Sequence, residues 1–351
     1  MLAITNTLKS FYHYIQNSYR EFKIRKIGAW RYFLNEQEHY RKNIEKKYNK
    51  SAEPKSSFFK GVIFICNELE KGGGFADRLK GAISVYNYCK DNNIPFKIHW
   101  TYPFKLQEYL IPNEYDWLID DCEMSYSKED VVVKRLMLNE LCGRESIRNN
   151  HHALCAVWLK DNIPTESARD KQVHIYTNMI PQDEAFYSSF RDLFKPIQLL
   201  QNLISYHSES IGDVPYISIS FRFTSLLGDF KDVSNEILED SKKEKLIKKC
   251  LSAITDIRKE NPGYSKVLIT ADSSRFLEEA KRLAFVYVIE GTPGHIDFCQ
   301  NDDVVRKMFL DFCLIGKADL VYQVVTGKMY GGRFSYYAAI AHGKKHFILS
   351  V

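Results

Sequence analysis

Hydrophobic and polar positions alternate most regularly in the last third of the chain, so the elements there are predicted first. Tyr216 to Phe223 (YISISFRF) is a short apolar run of strand type, followed by a polar loop. Lys245 to Arg258 places Leu246, Ile247, Cys250, Leu251, Ile254 and Ile257 on one helical face. Lys266 to Ala271 reads as strand, and Ser273 or Ser274 caps a helix carrying Phe276, Leu277, Ala280 and Leu283. Phe285 to Ile289 is strand, Val304 to Leu314 helix, Asp319 to Val324 strand, Phe334 to Ala341 helix, and Lys345 to Val351 a closing strand. Such alternation predicts a doubly wound parallel sheet, whose ligands bind beyond the carboxyl ends of its strands.

The first part of the chain is less regular. Gly61 to Cys66 (GVIFIC) is a buried-strand run, Phe75 to Cys89 has helical spacing, and Ile94 to Trp100 is a further strand. Between Tyr102 and Lys171 only a helix around Ser146 to Lys160 stands out. Val173 to Met179 is a strand, and Glu184 to Tyr206 is mostly helix, interrupted at Pro196. The chain is thus expected to be α/β, with a basic helical leader and linker over 1–57, a Rossmann-like domain over 58–212 and a second over 213–351.

Charge changes the picture at one place. The 351 residues carry a net charge of +5, yet residues 1–50 alone hold eleven Lys/Arg against four Glu, so the rest is slightly acidic. Aromatics such as Phe11, Tyr19, Trp30 and Tyr40 are interleaved with those charges. Two readings stand: adhesion to an anionic membrane surface, or helices that pack their aromatics on the body. No basic stripe continues downstream, which argues against nucleic acid. The eight cysteines are far apart, without a C-x-x-C pair or zinc spacing, and read as reduced thiols. No run of about 18 apolar residues is present, nor the apolar stretch and cleavage site of a signal peptide. A cytoplasmic location follows, peripheral on the inner membrane face if the leader adheres.

Three strand-end loops and one later segment carry unusual residues. In Lys71 to Gly81 (KGGGFADRLKG), glycines allow close backbone approach, the following helix aims N–H groups at the turn, and Arg78 and Lys80 add cations. The spacing is neither a P-loop nor the dinucleotide fingerprint. Ser220 to Asp229 (SFRFTSLLGD) sets Arg222 among apolar neighbours, either to pair with a carboxylate or to bind a diphosphate. Asp229, in the adjoining loop, is a candidate general base. Thr270 to Ser274 (TADSS) offers Asp272 to a base or ribose, or as a helix cap. Gly331 to Ala339 (GGRFSYYAA) places a glycine pair before a helix, suited to a second phosphate contact.

In this order and spacing the four segments resemble those of the GDP-fucose-dependent fucosyltransferases of GT-B fold, a group including bacterial α-1,2- and α-1,6-enzymes and protein O-fucosyltransferases. KGGGFADRLKG is similar to their glycine loop, roughly Gly-Gly-x-Gly-Asn-x-Leu. SFRFTSLLGD stands in the place of His-x-Arg-Arg, TADSS of Ala-Thr-Asp, and GRFSYYAAIA of Ser-x-Phe-Ser-x-x-Ala-Ala. The resemblance covers most of 61–351 as short islands. It implies two Rossmann-like domains facing a cleft, with Arg222 on the β-phosphate of the leaving GDP and Asp272 at guanine or ribose. Ser335 and the backbone near Phe334 would meet phosphate, while Gly73, Gly74 and Arg78 line the cleft. Asp229 falls near where related α-1,6-enzymes carry a carboxylate base. The family inverts the anomeric centre without a required metal or cofactor, the cation stabilising the departing charge. This chain departs from the pattern at Ser220, where the motif has histidine, at Phe223, where it has its second arginine, and at Ser225, where it has aspartate.

The resulting expectation is a glycosyltransferase moving fucose, or a related sugar, from a GDP-sugar to a surface-glycan precursor, which a membrane-facing leader would allow to be lipid-linked. The alternative is a non-catalytic relative that binds nucleotide sugar or glycan. An oxidoreductase is disfavoured by the missing G-x-G-x-x-G.

Overall fold

The computed structural model describes residues 29–48, 53–70, 72–138, 151–163, 170–231, 236–298 and 301–351. Two parallel sheets organise them. The first contains β1 (Gly61–Cys66), β2 (Phe96–Trp100), β4 (Val131–Leu136) and β5 (Gln172–Thr177), in the order β2-β1-β5-β4. The second contains β7 (Tyr216–Phe221), β8 (Lys266–Ala271), β9 (Val286–Tyr287), β10 (Leu320–Val325) and β11 (His346–Ser350), in the order β11-β10-β7-β8-β9. A short antiparallel pair, β3 (Leu110–Pro112) with β6 (Phe194–Pro196), stands apart from both.

The helices are α1 (Ala29–Lys47), α2 (Phe75–Asp91), α3 (His151–Asn162), α4 (Phe186–Leu193), α5 (Gln198–Ile211), α6 (Asp240–Glu260), α7 (Ser274–Ala280), α8 (Asp302–Lys317) and α9 (Phe334–Ala341). Every strand predicted from Pro215 onward is present, its ends within two residues of those expected. The strand β4 was not anticipated. The expected helix over 146–160 is α3, and the start of that expectation lies outside the described residues.

Burial explains why the strands read as they do. All six positions of β1, β5 and β7 are buried, as expected of central strands covered on both faces. In β5 this encloses polar groups, which are paired. His174 contacts the Tyr48 hydroxyl through Nδ1 at 2.8 Å and the Gln172 side chain through Nε2 at 3.0 Å. Burial pushes the imidazole of His174 down to about 3, so it is neutral at physiological pH.

Tyr48 closes α1, which lies on β4 with Phe33, Gln37 and Ile44 also buried. Gln37 accepts from the Met137 N–H at 2.8 Å and donates to the Met137 carbonyl at 3.0 Å. Residues 29–48 of the basic leader are therefore built into the first sheet's outer layer. The other reading, adhesion of residues 1–50 to an anionic membrane, falls in part on residues 1–28, which lie outside the described residues. No helix among the described residues is long and apolar enough to cross a membrane.

One apolar cluster spans the two sheets. Phe75 at the start of α2 meets Phe309 and Phe312 of α8 at ring separations of 4.8 and 5.3 Å, and Tyr109 stacks on Phe309 at 4.7 Å. Gly81 lets α2 approach β5: a Cβ there would lie 2.0 Å from the Thr177 carbonyl oxygen. Across the same seam the Tyr336 and Tyr337 hydroxyls of α9 donate to Asp183, at 2.9 and 3.0 Å.

Candidate functional site

In the second sheet β7 is followed by β8 on one side and flanked by β10 on the other, so the strand order reverses at β7. Crevices outside the carboxyl ends of strands at such a point are where open α/β sheets bind ligands. A cavity of about 770 Å³ lies there. Its floor is a row of polar side chains in register: Gln323 of β10 beside Ser220 of β7, and Ser220 beside Thr270 of β8. The Ser220 and Thr270 hydroxyls hydrogen-bond at 2.8 Å.

The rim is formed by the loop after β7, the end of β8, residues 293–298, the face of α8 bearing Lys307 and Asp311, and the turn from Tyr330 to Ser335. The opposite wall is the glycine turn, from Gly73 to Asp77. Gly73 has a left-handed φ of +82°, a conformation glycine adopts without strain. Gly74 then caps α2 without a side-chain bond. The first N–H groups of a helix have no carbonyl within it to bond and carry its positive dipole end. Both α2 and α9 begin on the cavity wall, with Phe75 and Phe334 among its lining residues.

Arg222 extends β7 into the cavity with its side chain 27% exposed. Its Nε lies 3.4 Å from Asp272, and its guanidinium sits 4.9 Å from the Phe230 ring centre. Asp272 is buried, and its two oxygens accept the N–H groups of Phe223 and Thr224, both at 2.8 Å. Burial raises its carboxyl to about 6, against the lowering effect of Arg222 and the backbone donors. Arg222 is thus paired with a carboxylate and also faces the cavity. Asp272, expected at guanine or ribose, lines the cavity and also shapes the turn that presents Arg222. The helix cap is Ser273, which accepts the Phe276 N–H at 3.1 Å.

Seven of the nine residues expected at the site line this one cavity: Gly73, Gly74, Ser220, Arg222, Asp272, Phe334 and Ser335. The Ser335 hydroxyl is buried 3.1 Å from His346 Nε2, and burial lowers that histidine to about 4. The other two, Arg78 and Asp229, are not among the lining residues. Arg78 is 1% exposed; it donates to the carbonyls of Gly73 at 2.9 Å and Tyr102 at 2.7 Å and is ion-paired with Asp297. It therefore holds the glycine turn from behind and is not among the lining residues. Asp229 accepts from the Ser273 hydroxyl and the Arg275 N–H, both at 2.9 Å. Its carboxylate sits at the start of α7, outside the lining, where a helix N-terminus favours negative charge.

Sequence reasoning missed the Lys307–Asp311 pair. Lys307 Nζ contacts both Asp311 oxygens, at 2.9 and 2.8 Å, in buried surroundings that raise the Asp311 carboxyl. The signal was present, since a Lys and an Asp four residues apart on an apolar helix face can be buried only as a pair. Arg333, Gln323 and His295 were also overlooked. Among the described residues no three metal-ligating side chains gather into a group that could hold a metal ion.

No protein-family model matches the chain, and no curated protein matches it in sequence. Solved structures do match in shape. The α-1,6-fucosyltransferase NodZ soaked with GDP-fucose is 14% identical and superposes with a TM-score of 0.52, over 80% of this chain and 92% of that one. NodZ from Bradyrhizobium gives a TM-score of 0.50 at 14% identity, over 80% and 92% of the two chains. A point mutant of Arabidopsis thaliana FUT1 in complex with GDP gives 0.50 at 12% identity, over 92% of this chain and 78% of that one. With its two parallel sheets and the cavity beside them, the chain has the GT-B fold of these fucosyltransferases.

Proposed function

We propose that the protein transfers fucose, or a related sugar, from a GDP-sugar to a hydroxyl of a glycan acceptor, with inversion and without a required metal. The observation that carries this reading is the partly exposed Arg222 at the switch point of the second sheet, in a cavity walled by two helix N-termini. A dianionic diphosphate fits such a wall through charge-assisted hydrogen bonds. The fold shared with enzymes crystallised with GDP or GDP-fucose supports guanosine diphosphate over other nucleotides.

In the proposed reaction the acceptor oxygen bonds to the anomeric carbon as the bond to the diphosphate oxygen breaks. GDP leaves with that electron pair, and Arg222 balances the charge that develops on it. The α9 N–H groups around Phe334 and Ser335 face the same phosphates, while Ser220 belongs to the cavity floor and Gly73 and Gly74 to the facing wall. The acceptor's proton requires a base. Of the carboxylates lining the cavity, Asp272, Asp297 and Asp311 are held in buried contacts. Asp77 has a side chain 39% exposed on the wall opposite Arg222, with Lys80 2.6 Å from Oδ1. We assign the base to Asp77, and to Asp229 the positioning of α7 behind Asp272.

Calorimetric titration of the full chain with GDP, GDP-fucose, UDP and NAD, without and then with magnesium, tests the reading. Micromolar, metal-independent binding of GDP and GDP-fucose is expected. Binding of NAD alone, or of no guanine nucleotide, would overturn it. Donor binding without turnover across a panel of glycan acceptors would favour the non-catalytic relative, which the loss of an arginine at Phe223 makes the second reading.

A further inference from the structure

We propose that Arg333 is the second cation on the donor diphosphate, replacing from the α9 turn the arginine that the β7 segment lacks at Phe223. The inference rests on the GDP-sugar reading of the cavity and concerns which side chains neutralise the donor.

Phe223 cannot be restored to that role by a rotamer change. It is fully buried and packs on Phe221 and Phe276, at ring separations of 6.1 and 4.9 Å. The loop after β7 therefore brings one guanidinium to the cavity, Arg222. A nucleoside-diphosphate sugar brings two negative charges, and the cavity lining already carries four carboxylates.

Pairing those carboxylates isolates Arg333. Asp77 is matched by Lys80, Asp272 by Arg222, Asp297 by Arg78 and Asp311 by Lys307. Among the described residues no carboxylate is paired with Arg333, which is exposed and rests its guanidinium 4.8 Å from the ring centre of Tyr336. It is thus the surplus positive charge of the cavity wall, and a cation on a ring face can exchange that contact for phosphate oxygens at small cost.

Its location matches Arg222. The Tyr330 N–H donates to the Arg222 carbonyl at 3.1 Å, so the turn bearing Arg333 is hydrogen-bonded to the strand end bearing Arg222. Gly332 lies between them, where an added Cβ would come within 3.6 Å of the Arg222 side chain. Arg333 also caps α9 and so stands beside that helix's first N–H groups. Two guanidiniums and a helix N-terminus then converge on one stretch of rim.

Calorimetry on the wild-type chain and on Arg333→Ala and Arg333→Lys, with GDP, guanosine and inorganic pyrophosphate as ligands, tests this. Arg333→Ala should weaken GDP and pyrophosphate by about 10- to 100-fold, as for a lost charge-assisted hydrogen bond, and leave guanosine unchanged. Arg333→Lys should recover part of the loss, because the charge returns without the planar fork. Unchanged melting temperatures would exclude a folding effect, as an exposed side chain allows. GDP and pyrophosphate affinities within twofold of wild type in Arg333→Ala would overturn the assignment. If the wild-type chain binds pyrophosphate and not GDP, the nucleotide reading fails while an Arg333-dependent pyrophosphate site still supports the paired cations. Binding of neither anion overturns both.

Discussion

The two walls of the cavity use charge in opposite ways. On the glycine-turn side the arginine is internal: Arg78 is sealed behind the turn against Asp297 and two carbonyl oxygens. On the strand-end side the arginines reach the cavity, with Arg222 partly exposed and Arg333 exposed. Both walls looked alike in sequence, each an arginine near glycines at a strand end. The difference teaches that an arginine's role depends on whether a carboxylate and carbonyl oxygens enclose it on all sides. Arg78 also joins residues 219 positions apart, tying the first sheet's turn to the 293–298 loop of the second. It holds the two walls together, whereas Arg222 faces the space between them.

Removing each arginine should separate these roles, and the largest effect is expected at Arg78. Arg78→Ala strands the Asp297 carboxylate, and breaking a buried pair on one side costs about 3–5 kcal/mol. Denaturant unfolding should report that loss. Arg222→Ala should shift unfolding far less and weaken GDP by at least about tenfold, because a charge-assisted contact is lost. If Arg78→Ala unfolds like wild type but loses GDP, the two walls are not different in kind and Arg78 is a ligand residue after all.

A smaller change sharpens the strand-end wall. Asp229 holds Ser273 and the Arg275 N–H, and Ser273 caps α7 next to Asp272. Asp229→Ala should cost about 1 kcal/mol of stability, the usual worth of a helix N-terminal contact, with GDP affinity nearly unchanged. Asp77→Asn, on the facing wall, should instead lower turnover at unaltered GDP affinity. Turnover that collapses in Asp229→Asn and survives in Asp77→Asn would return the base to Asp229.

How far the sequence could be read follows the same physics. The second sheet was legible because its strands are short apolar runs separated by amphipathic helices, patterns that neighbouring residues impose on one another. The four loops of the site followed, since strand ends of an α/β sheet converge whatever their chemistry. The strand β4 was hidden because Lys134 and Arg135 interrupt its run. Arg135 is nonetheless buried, its Nε 2.7 Å from Glu70 and its guanidinium against Gln37. A charge made internal by partners 65 and 98 residues away leaves no local signature. Arg78 has no local signature for the same reason, its carboxylate lying 219 residues away in the 293–298 loop. The place of Asp229 was not legible either, because the seven-residue spacing from Arg222 says nothing of the turn between them, which sets the carboxylate at the start of α7.

The smallest expected effect distinguishes the walls by proton uptake. With Asp272 raised to about 6 in the free protein, its contribution to folding is complete below the ordinary aspartate value of 3.8 and is lost as pH rises through about 6. A bound diphosphate draws on Arg222 and adds negative charge beside the carboxylate, and both effects favour its protonated form. The pKa in the complex therefore lies above that in the free protein, and binding takes up part of a proton just above pH 6. Affinity for GDP-fucose should rise by about threefold as pH falls from 7 to 6, below the tenfold limit set by one full proton. GDP-fucose is the ligand of choice, since its diphosphate is esterified at both ends and does not itself titrate there. Calorimetry in buffers of different ionisation enthalpy would measure the uptake, which should vanish in Asp272→Asn, provided that variant still binds. Proton release on binding would place the diphosphate away from Arg222 and Asp272, and would shift the donor toward the glycine-turn wall.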